Sequence, residues 1–202
     1  MAFTDFKSLA QVQQEYNIKY SEETFISYIN LKPSDDFCNE FEFNLENIDV
    51  FTSEASRCEN VIYPILREVY KSFVDQYTLW SHKSITYDHK LTGTPDYLIS
   101  TKSELGKTIL GLPLVVVVEA KQNNFIEGWG QCLAELIAAQ KMNQNETQPV
   151  YGIVTDGELW QLGRLVRDVF TKEKTRIAIT DLDKLFGAIA FLLADFKRLE
   201  IS

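Results

Sequence analysis

The sequence predicts an α/β fold in which helices flank a mixed central sheet. Apolar residues recur at helical spacing in residues 52–73, and a continuous apolar run, LPLVVVVEAK, fills residues 112–121. A second helical segment, GWGQCLAELIAAQKMNQN, follows at 128–145. A run that is apolar on both sides is typical of a strand covered on both faces of its sheet. The predicted core order is helix, three strands, helix, strand.

The remaining elements follow from their local patterns. Residues 77–87 and 89–100 are rich in aromatic and β-branched residues and predict a hairpin before the apolar strand. After the strand at 149–155, Asp156-Gly157 predicts a tight turn into 158–166, and 168–179 adds a further strand. The chain closes with an amphipathic helix from Asp181, its cap. We therefore expect one domain, 1–202: a helical and irregular extension (1–50), a core (53–155), and a C-terminal hairpin and helix (156–202).

Composition and charge restrict the function classes. No apolar run reaches the roughly 18 residues of a membrane span, so no membrane partner is expected. The three cysteines lack metal-site spacing and indicate reduced thiols in the cytoplasm. The net charge of −9 argues against tight, non-specific binding of nucleic acid by this chain alone. Metal ions bound to carboxylates would remove part of that repulsion.

Asp96, Glu119 and Lys121 form the candidate site. Glu119 and Lys121 are two residues apart on one strand and point to the same face, while Ala120 points away. If the strand after Asp96 pairs beside them, two carboxylates and the Ala120 carbonyl make an oxygen-rich site suited to Mg²⁺ or Mn²⁺. The alternative is a salt bridge at a strand end. Carboxylates near an apolar sheet are costly unless neutralised, which favours a metal.

The segments TPDYLIS (94–100) and VVVVEAKQ (115–122) resemble the PD-(D/E)XK nuclease superfamily, the restriction-endonuclease-like phosphodiesterases. The core of that superfamily is helix, three strands, helix, strand, and the resemblance covers residues 53–155. It implies a restriction-endonuclease-like core and a metal-dependent hydrolase of phosphodiester bonds. By position, Asp96 and Glu119 would be metal ligands and Lys121 would serve the nucleophilic water.

The resemblance also implies a glutamate from the first helix, for which Glu59 and Glu54 compete. Glu59 lies at helical spacing on the apolar face, where an unpaired acid would be expensive, and Glu54 lies in the first turn, where the helix dipole explains it. We prefer Glu59. Gln131 matches a glutamine that some members carry on the helix after the lysine strand. Glu135 stands where those members have tyrosine, which puts their DNA-end-binding exonuclease role in doubt.

Three functions remain open. The first is a DNA endonuclease of a restriction, defence or DNA-processing system, acting with Mg²⁺ or Mn²⁺. The broad apolar stripe of the last helix packs on the sheet by default, and a homodimer through this helix or the terminal hairpin is a further hypothesis. The second is a non-catalytic or weakly active module that binds a protein partner in a larger DNA-processing complex. The third is an unrelated α/β domain with a chance motif. Trp129 either stacks a base or packs on the sheet.

Overall fold

The computed structural model describes residues 2–200 and has a mixed α/β architecture. One large sheet runs in the order β1-β9-β8-β7-β6-β5-β2, with β10 paired to β8, and a small hairpin, β3-β4, lies outside it. The strands are β1 Lys19–Glu23, β2 Tyr77–Ser81, β3 Ile85–Thr86, β4 Thr92–Gly93, β5 Tyr97–Thr101, β6 Leu114–Ala120, β7 Val150–Thr155, β8 Leu159–Val166, β9 Val169–Glu173 and β10 Ile177–Ala178. The α-helices are α1 Leu9–Tyr16, α2 Asp35–Asn47, α3 Glu54–Arg57, α4 Tyr63–Lys71, α5 Phe125–Asn143 and α6 Leu182–Glu200, with a 3₁₀ helix at Phe3–Asp5 and a π-helix at Cys58–Ile62.

Strand β6 is the centre of the sheet, as its apolar run predicted. It pairs antiparallel with β5 and parallel with β7, and each of its seven residues is buried. Alternate residues enter different cores, with Val116 and Val118 on one side and Val117 on the other. A strand that is buried on both faces needs no polar positions along its length. This explains why the sequence shows a continuous apolar run and no alternation.

Helices cover both faces of the sheet. Helices α1 and α5 enclose one core, and the π-helix, α4 and α6 enclose the other. The stripe of α6, including Phe186, Ile189 and Leu193, is buried against the second core within the same chain. A dimer interface through this stripe is therefore wrong, because its apolar side chains already cover the sheet. A homodimer through another surface stays a prediction.

The N-terminal extension is more ordered than the sequence predicted. Residues 19–23 form β1, which pairs in parallel with β9 at the edge of the sheet. Its pattern KYSEE is polar, and four of its five residues are exposed. An edge strand with solvent on both faces carries no apolar alternation by which it could be recognised.

The first core helix contains a π-helical turn. The predicted helix over 52–73, in which Pro64 is expected to cause a kink or a break, consists of α3, a π-helix and α4, with Ser53 as the cap of α3. Pro64 is the second residue of α4, which continues directly from the π-helix, so the irregular turn lies where a proline removes an intrahelical hydrogen bond. The extra residue of a π turn rotates all later side chains relative to earlier ones. Helical spacing counted across this turn therefore misplaces residues.

Two further predictions concern the C-terminal part and the membrane. The turn between β7 and β8 has Gly157 at a φ of 89°, in the region that glycine adopts without strain, as the Asp-Gly pair predicted. Asp181 caps α6 by accepting from the Lys184 N–H. Over residues 2–200, none of the helices combines the length and the apolar character that crossing a membrane requires.

Candidate functional site at the end of strands β5 and β6

Asp96 and Glu119 are brought together by the register of β5 and β6. Tyr97, the first residue of β5, lies opposite Val118, so Asp96, one residue earlier, is opposite Glu119. Residues opposite each other on antiparallel strands point to the same face. Glu119 is buried, and Asp96 keeps 18 % of its side chain exposed. The charge of Asp96 raises the pKa of Glu119, so the two carboxylates lie near each other at the end of the sheet where the ladder stops.

Pro95 leaves the backbone of Ala120 open. Continuing the register of β5 and β6 by two residues places Pro95 opposite Ala120. Proline has no N–H with which to complete a ladder hydrogen bond. The Ala120 carbonyl therefore receives no ladder hydrogen bond from residue 95. The Ala120 N–H, on the same side of the strand, donates to Oδ2 of Asp96 at 2.8 Å. The Pro-Asp pair thus frees one carbonyl and fixes one carboxylate beside it.

Lys121 contacts Glu119 directly. Its Nζ lies 3.2 Å from Oε2 of Glu119, and its backbone N–H donates to the Thr155 carbonyl of β7 at 2.9 Å. Burial alone would lower the pKa of Lys121, but the charges of Glu119, Asp96 and Glu54 outweigh it and raise that pKa above its usual value. Lys121 is therefore a protonated amine that neutralises part of the acidic charge. This is also the contact that a strand-end salt bridge predicts.

A third carboxyl group, from Glu135 on α5, reaches the same place. Glu135 is 1 % exposed, and its carboxyl group lies within hydrogen-bonding reach of that of Glu119. Burial raises the pKa of both groups, and the charge of Glu119 raises that of Glu135 further. Oε2 of Glu135 is buried without a hydrogen-bond partner among the described residues. We call Asp96, Glu119 and Glu135 the carboxylate cluster.

Helix α5 delivers Glu135 and Gln131 to β6 because it starts close to the end of that strand. Asn124 caps it, and a Cβ added at Gly128 would lie 2.7 Å from a methyl group of Val154 and 3.0 Å from Cγ of Lys121. Gln131, one turn before Glu135, is buried, and its Oε1 also lacks a partner in the part of the chain that the structure describes. Gln131 was identified from sequence. Glu135 was noted only as a departure from a pattern, although an acid on the apolar face of α5 was itself a signal.

Of the two helix acids, Glu54 contacts the strand end, while Glu59 lines a cavity beside Asp96 from an exposed position, so the role of Glu59 stays a prediction. Oε2 of Glu54 accepts from the Gln122 N–H at 3.3 Å, and the charge of Glu54 contributes to the raised pKa of Lys121. Glu59 is exposed, so its predicted place on an apolar helix face is wrong. Ala55, four residues earlier, is exposed as well, so this side of the helix does not belong to the apolar face.

A cavity of about 590 Å³ opens beside Asp96, which we call the acidic cavity. Glu54, Glu59 and Asp96 lie along its wall, with the rings of Tyr63 and Tyr97 stacked at 5.9 Å. Burial raises the pKa of Asp96, and the charge of Glu54 adds to that effect. His82 also lines the cavity, with Nδ1 3.9 Å from Oδ1 of Asp96 and a side chain that is 62 % exposed.

Trp129 does not line the acidic cavity. Its side chain is buried, its ring lies 5.2 Å from that of Phe170, and its Nε1 donates to Gln161 at 2.9 Å. The packing alternative is therefore correct at this position.

The donor atoms fit a hard divalent cation, although they are not gathered into a ready-made metal site. Within residues 2–200, no group of three or more His, Cys, Asp or Glu side chains is placed to hold a metal ion. The cluster nevertheless offers carboxylate oxygens, an open carbonyl at Ala120 and unpartnered oxygens on Gln131 and Glu135. A buried oxygen without a partner costs about 1–3 kcal/mol, which a bound cation would remove.

The chain was compared with protein-family models, curated proteins and solved structures. No family model and no curated protein matches it. Among solved structures, it is similar to a chain of a DrdV–DNA complex determined by cryo-electron microscopy, with 18 % identity and a TM-score of 0.42. The match covers 81 % of this chain and 14 % of that one, so this chain spans a small part of the length of its structural neighbour.

Proposed function

We propose that this chain is a phosphodiesterase that uses Mg²⁺ or Mn²⁺ to hydrolyse DNA, with a restriction-endonuclease-like core. The observation that carries the proposal is the strand end where Pro95 frees the Ala120 carbonyl beside Asp96 and Glu119. Asp96, Glu119 and that carbonyl would hold the cation. An apolar sheet that ends in several carboxylates, a lysine and unpartnered buried oxygens is costly for folding alone, which supports a functional role.

The residues divide the chemistry between them. A divalent cation held at these oxygens would supply positive charge for the reacting phosphate and lower the pKa of water. In the hydrolysis, water would attack phosphorus and give its proton to solvent, while the bond to the leaving oxygen breaks and that oxygen takes up a proton from solvent. Because its pKa is raised, Lys121 stays protonated and serves as a hydrogen-bond donor to the water or to the phosphate, where it stabilises developing negative charge. Glu135 fixes the orientation of Glu119 through a hydrogen bond between their carboxyl groups.

Titration calorimetry with Mn²⁺ and nicking of supercoiled plasmid test the proposal together. Asp96→Asn removes a charged ligand, so we expect it to lose both metal binding and cleavage. Lys121→Ala removes a cation next to the acids, so we expect it to bind Mn²⁺ at least as tightly as wild type while cleavage is lost. A wild-type chain that binds no Mn²⁺ would refute the proposal.

A second function is favoured by a specific observation. The ion pair between Glu119 and Lys121, with no ready-made group of metal ligands among residues 2–200, fits a module that binds a protein partner and does not cleave DNA. In that case Lys121→Ala leaves the Glu119 charge buried without its partner and destabilises the fold. Unfolding of Lys121→Ala in urea with and without Mn²⁺ therefore separates the two functions. Under the nuclease proposal, Mn²⁺ neutralises the acids that have lost Lys121 and restores stability, whereas a module that binds no cation stays destabilised.

A further inference from the structure

A second cavity lies beside the start of α5, two strands away from the carboxylate cluster. It has a volume of about 390 Å³, within the range of small-molecule sites. Its apolar wall consists of Phe125, Ile126, Trp129 and Leu159. Ile126 is 72 % exposed, so the wall includes a large apolar side chain that the fold itself does not cover. We call it the cationic cavity, for the reason that follows.

The charges of this cavity are opposite to those of the acidic cavity. Lys172 and Arg176 line it, and none of its lining residues is acidic, although the chain carries a net charge of −9. The Lys172 amine lies 5.4 Å from the centre of the Trp129 ring, and it forms no salt bridge within residues 2–200. Burial, together with the charge of Arg176, lowers the pKa of Lys172. Glu22 of β1, opposite Lys172, acts on it through its charge but forms no salt bridge with it, so the two cations keep the capacity to bind an anion.

The cavity also contains a buried amide without a complete set of partners. Gln161 is 3 % exposed, and its Oε1 accepts from Trp129 Nε1 at 2.9 Å. Its amide nitrogen has no acceptor in the described part of the chain. Beside it lie Leu9 and Ala10, the first residues of α1, whose backbone N–H groups precede the first intrahelical hydrogen bond. All the unused hydrogen-bonding groups here are donors.

We propose that the cationic cavity binds a nucleotide, with the base against Phe125, Ile126 and Leu159 and the phosphate at Lys172 and Arg176. A base is a flat apolar ring whose edge carries acceptors, which suits the amide nitrogen of Gln161. A phosphate suits the two cations and the N–H groups at the start of α1. A simple inorganic anion would leave the apolar wall exposed, and an uncharged ring would leave the cations unpaired.

The nucleotide has two possible sources. One is a free mononucleotide, and the other is an unpaired nucleotide of a strand that also reaches the carboxylate cluster. The second source rests on the proposed function, and the geometry allows it, because β8 lies two strands from β6, about 10 Å away at the usual strand spacing. Leu159 begins β8 at the same end of the sheet as Glu119, since Thr155 pairs with both Ala120 and Trp160.

Titration calorimetry in EDTA tests the site without any contribution from a metal. The probes are deoxyadenosine and deoxythymidine monophosphates, inorganic phosphate, and the nucleosides alone. We expect wild type to bind the nucleotides about tenfold more tightly than phosphate or nucleoside, since each part then makes its own contacts. We expect Lys172→Met to weaken nucleotide binding about tenfold, the loss of one charge-assisted hydrogen bond. Arg176→Ala should also weaken nucleotide binding, and it should not affect folding because Arg176 is exposed.

Lys174→Met is the matched control, because Lys174 is exposed, follows β9 directly and lies outside the cavity. Three results would overturn the proposal: no nucleotide binding, phosphate binding as tightly as nucleotide, or equal weakening by Lys172→Met and Lys174→Met. A short single-stranded oligonucleotide distinguishes the sources. Tighter binding than the mononucleotide assigns the site to a strand, and equal binding assigns it to a free nucleotide. Because EDTA is present, failure here does not bear on the metal-dependent proposal.

Discussion

At the scale of single residues, the buried carboxyl groups of Glu119 and Glu135 carry a large electrostatic cost for folding. Both groups are buried, burial raises the pKa of each, the charge of Glu119 raises that of Glu135 further, and one oxygen of Glu135 has no partner among the described residues. Such a pair is most stable while one of the two groups is protonated, because only then does the pair hold a single negative charge. The stability of the fold without metal should therefore depend on pH.

The direction follows from the raised pKa values of the pair. A carboxyl group whose pKa is higher in the folded than in the unfolded chain stabilises the fold at low pH, and this stability is lost as pH rises above the usual value of 4.5 through the folded one. Glu135→Gln keeps the shape and removes the charge. At pH 8 in EDTA we expect it to raise the free energy of unfolding by about 1–3 kcal/mol, and the gain should shrink toward pH 4.5.

Urea unfolding at several pH values measures this effect. Glu46→Gln, at an exposed position of α2, is the matched control and should change stability little at any pH. If Glu135→Gln lowers stability at pH 8, the charged form of Glu135 stabilises the fold and the account of the pair given above is wrong.

At the scale of elements, the open end of β6 depends on one missing N–H. Pro95→Ala introduces a donor opposite the Ala120 carbonyl, in register for a ladder hydrogen bond. We expect Pro95→Ala to fold, because an added bond extends the ladder, and to bind Mn²⁺ up to about tenfold more weakly, because the new bond competes for the carbonyl at about 0.5–1.5 kcal/mol.

Pro33→Ala is the control, because Pro33 precedes α2 and lies outside the site. Calorimetry with Mn²⁺ on both variants decides whether the carbonyl takes part. If both Pro95→Ala and Pro33→Ala bind Mn²⁺ with wild-type affinity, Ala120 is excluded as a ligand. The carboxylates are then the whole donor set.

The elements also show what the sequence could and could not predict. Strand β6 and helix α5 were predictable because burial on both faces imposes apolar residues and because α-helical spacing is regular. The exposure of Glu59 was not, since Ala55, from which its helical spacing is counted, is itself exposed. Strand β1 is polar and lies at an edge, so its strand character comes from its pairing with β9. Local pattern could not show that pairing.

For the site, local sequence indicated Asp96, Glu119 and Lys121 because they lie on two strands whose pairing could be inferred. It could not show that Glu135 contacts Glu119. That contact depends on how closely α5 packs on the sheet, and Gly128 permits the close approach because it has no Cβ to collide with Val154 and Lys121. Contacts between a helix and a strand depend on packing distance and helix rotation, and neither is contained in the periodicity of one segment.

At the scale of the whole molecule, the charges are separated along one end of the sheet. The acidic cavity and the carboxylate cluster lie near β5 and β6, the cationic cavity lies near β8 and β9, and the net charge of −9 belongs to the chain as a whole. Duplex DNA that approaches the cluster meets repulsion that the cationic side offsets only in part. Duplex DNA should therefore bind more tightly with a divalent cation than in EDTA.

We expect Asp96→Asn to have opposite effects on duplex affinity in EDTA and in Ca²⁺. In EDTA, Asp96→Asn removes a charge that repels phosphate, so we expect duplex DNA to bind about fivefold more tightly than to wild type, or about 1 kcal/mol. In Ca²⁺, which takes the same oxygen ligands, Asp96→Asn loses the cation and should bind more weakly than wild type. Fluorescence anisotropy with a labelled duplex measures both.

Asp75→Asn is the control for charge alone, because Asp75 is exposed just before β2, at the end of that strand away from the site. It changes the net charge by the same amount, and its effect should be smaller in EDTA, because the Debye length of about 10 Å at 0.1 M salt screens distant charges. In Ca²⁺, Asp75→Asn should still bind the duplex slightly more tightly than wild type, as it does in EDTA. Equal behaviour of the two variants in both conditions would mean that bulk charge alone governs DNA binding. A reversal confined to Asp96→Asn places the cation between the carboxylates and the phosphate.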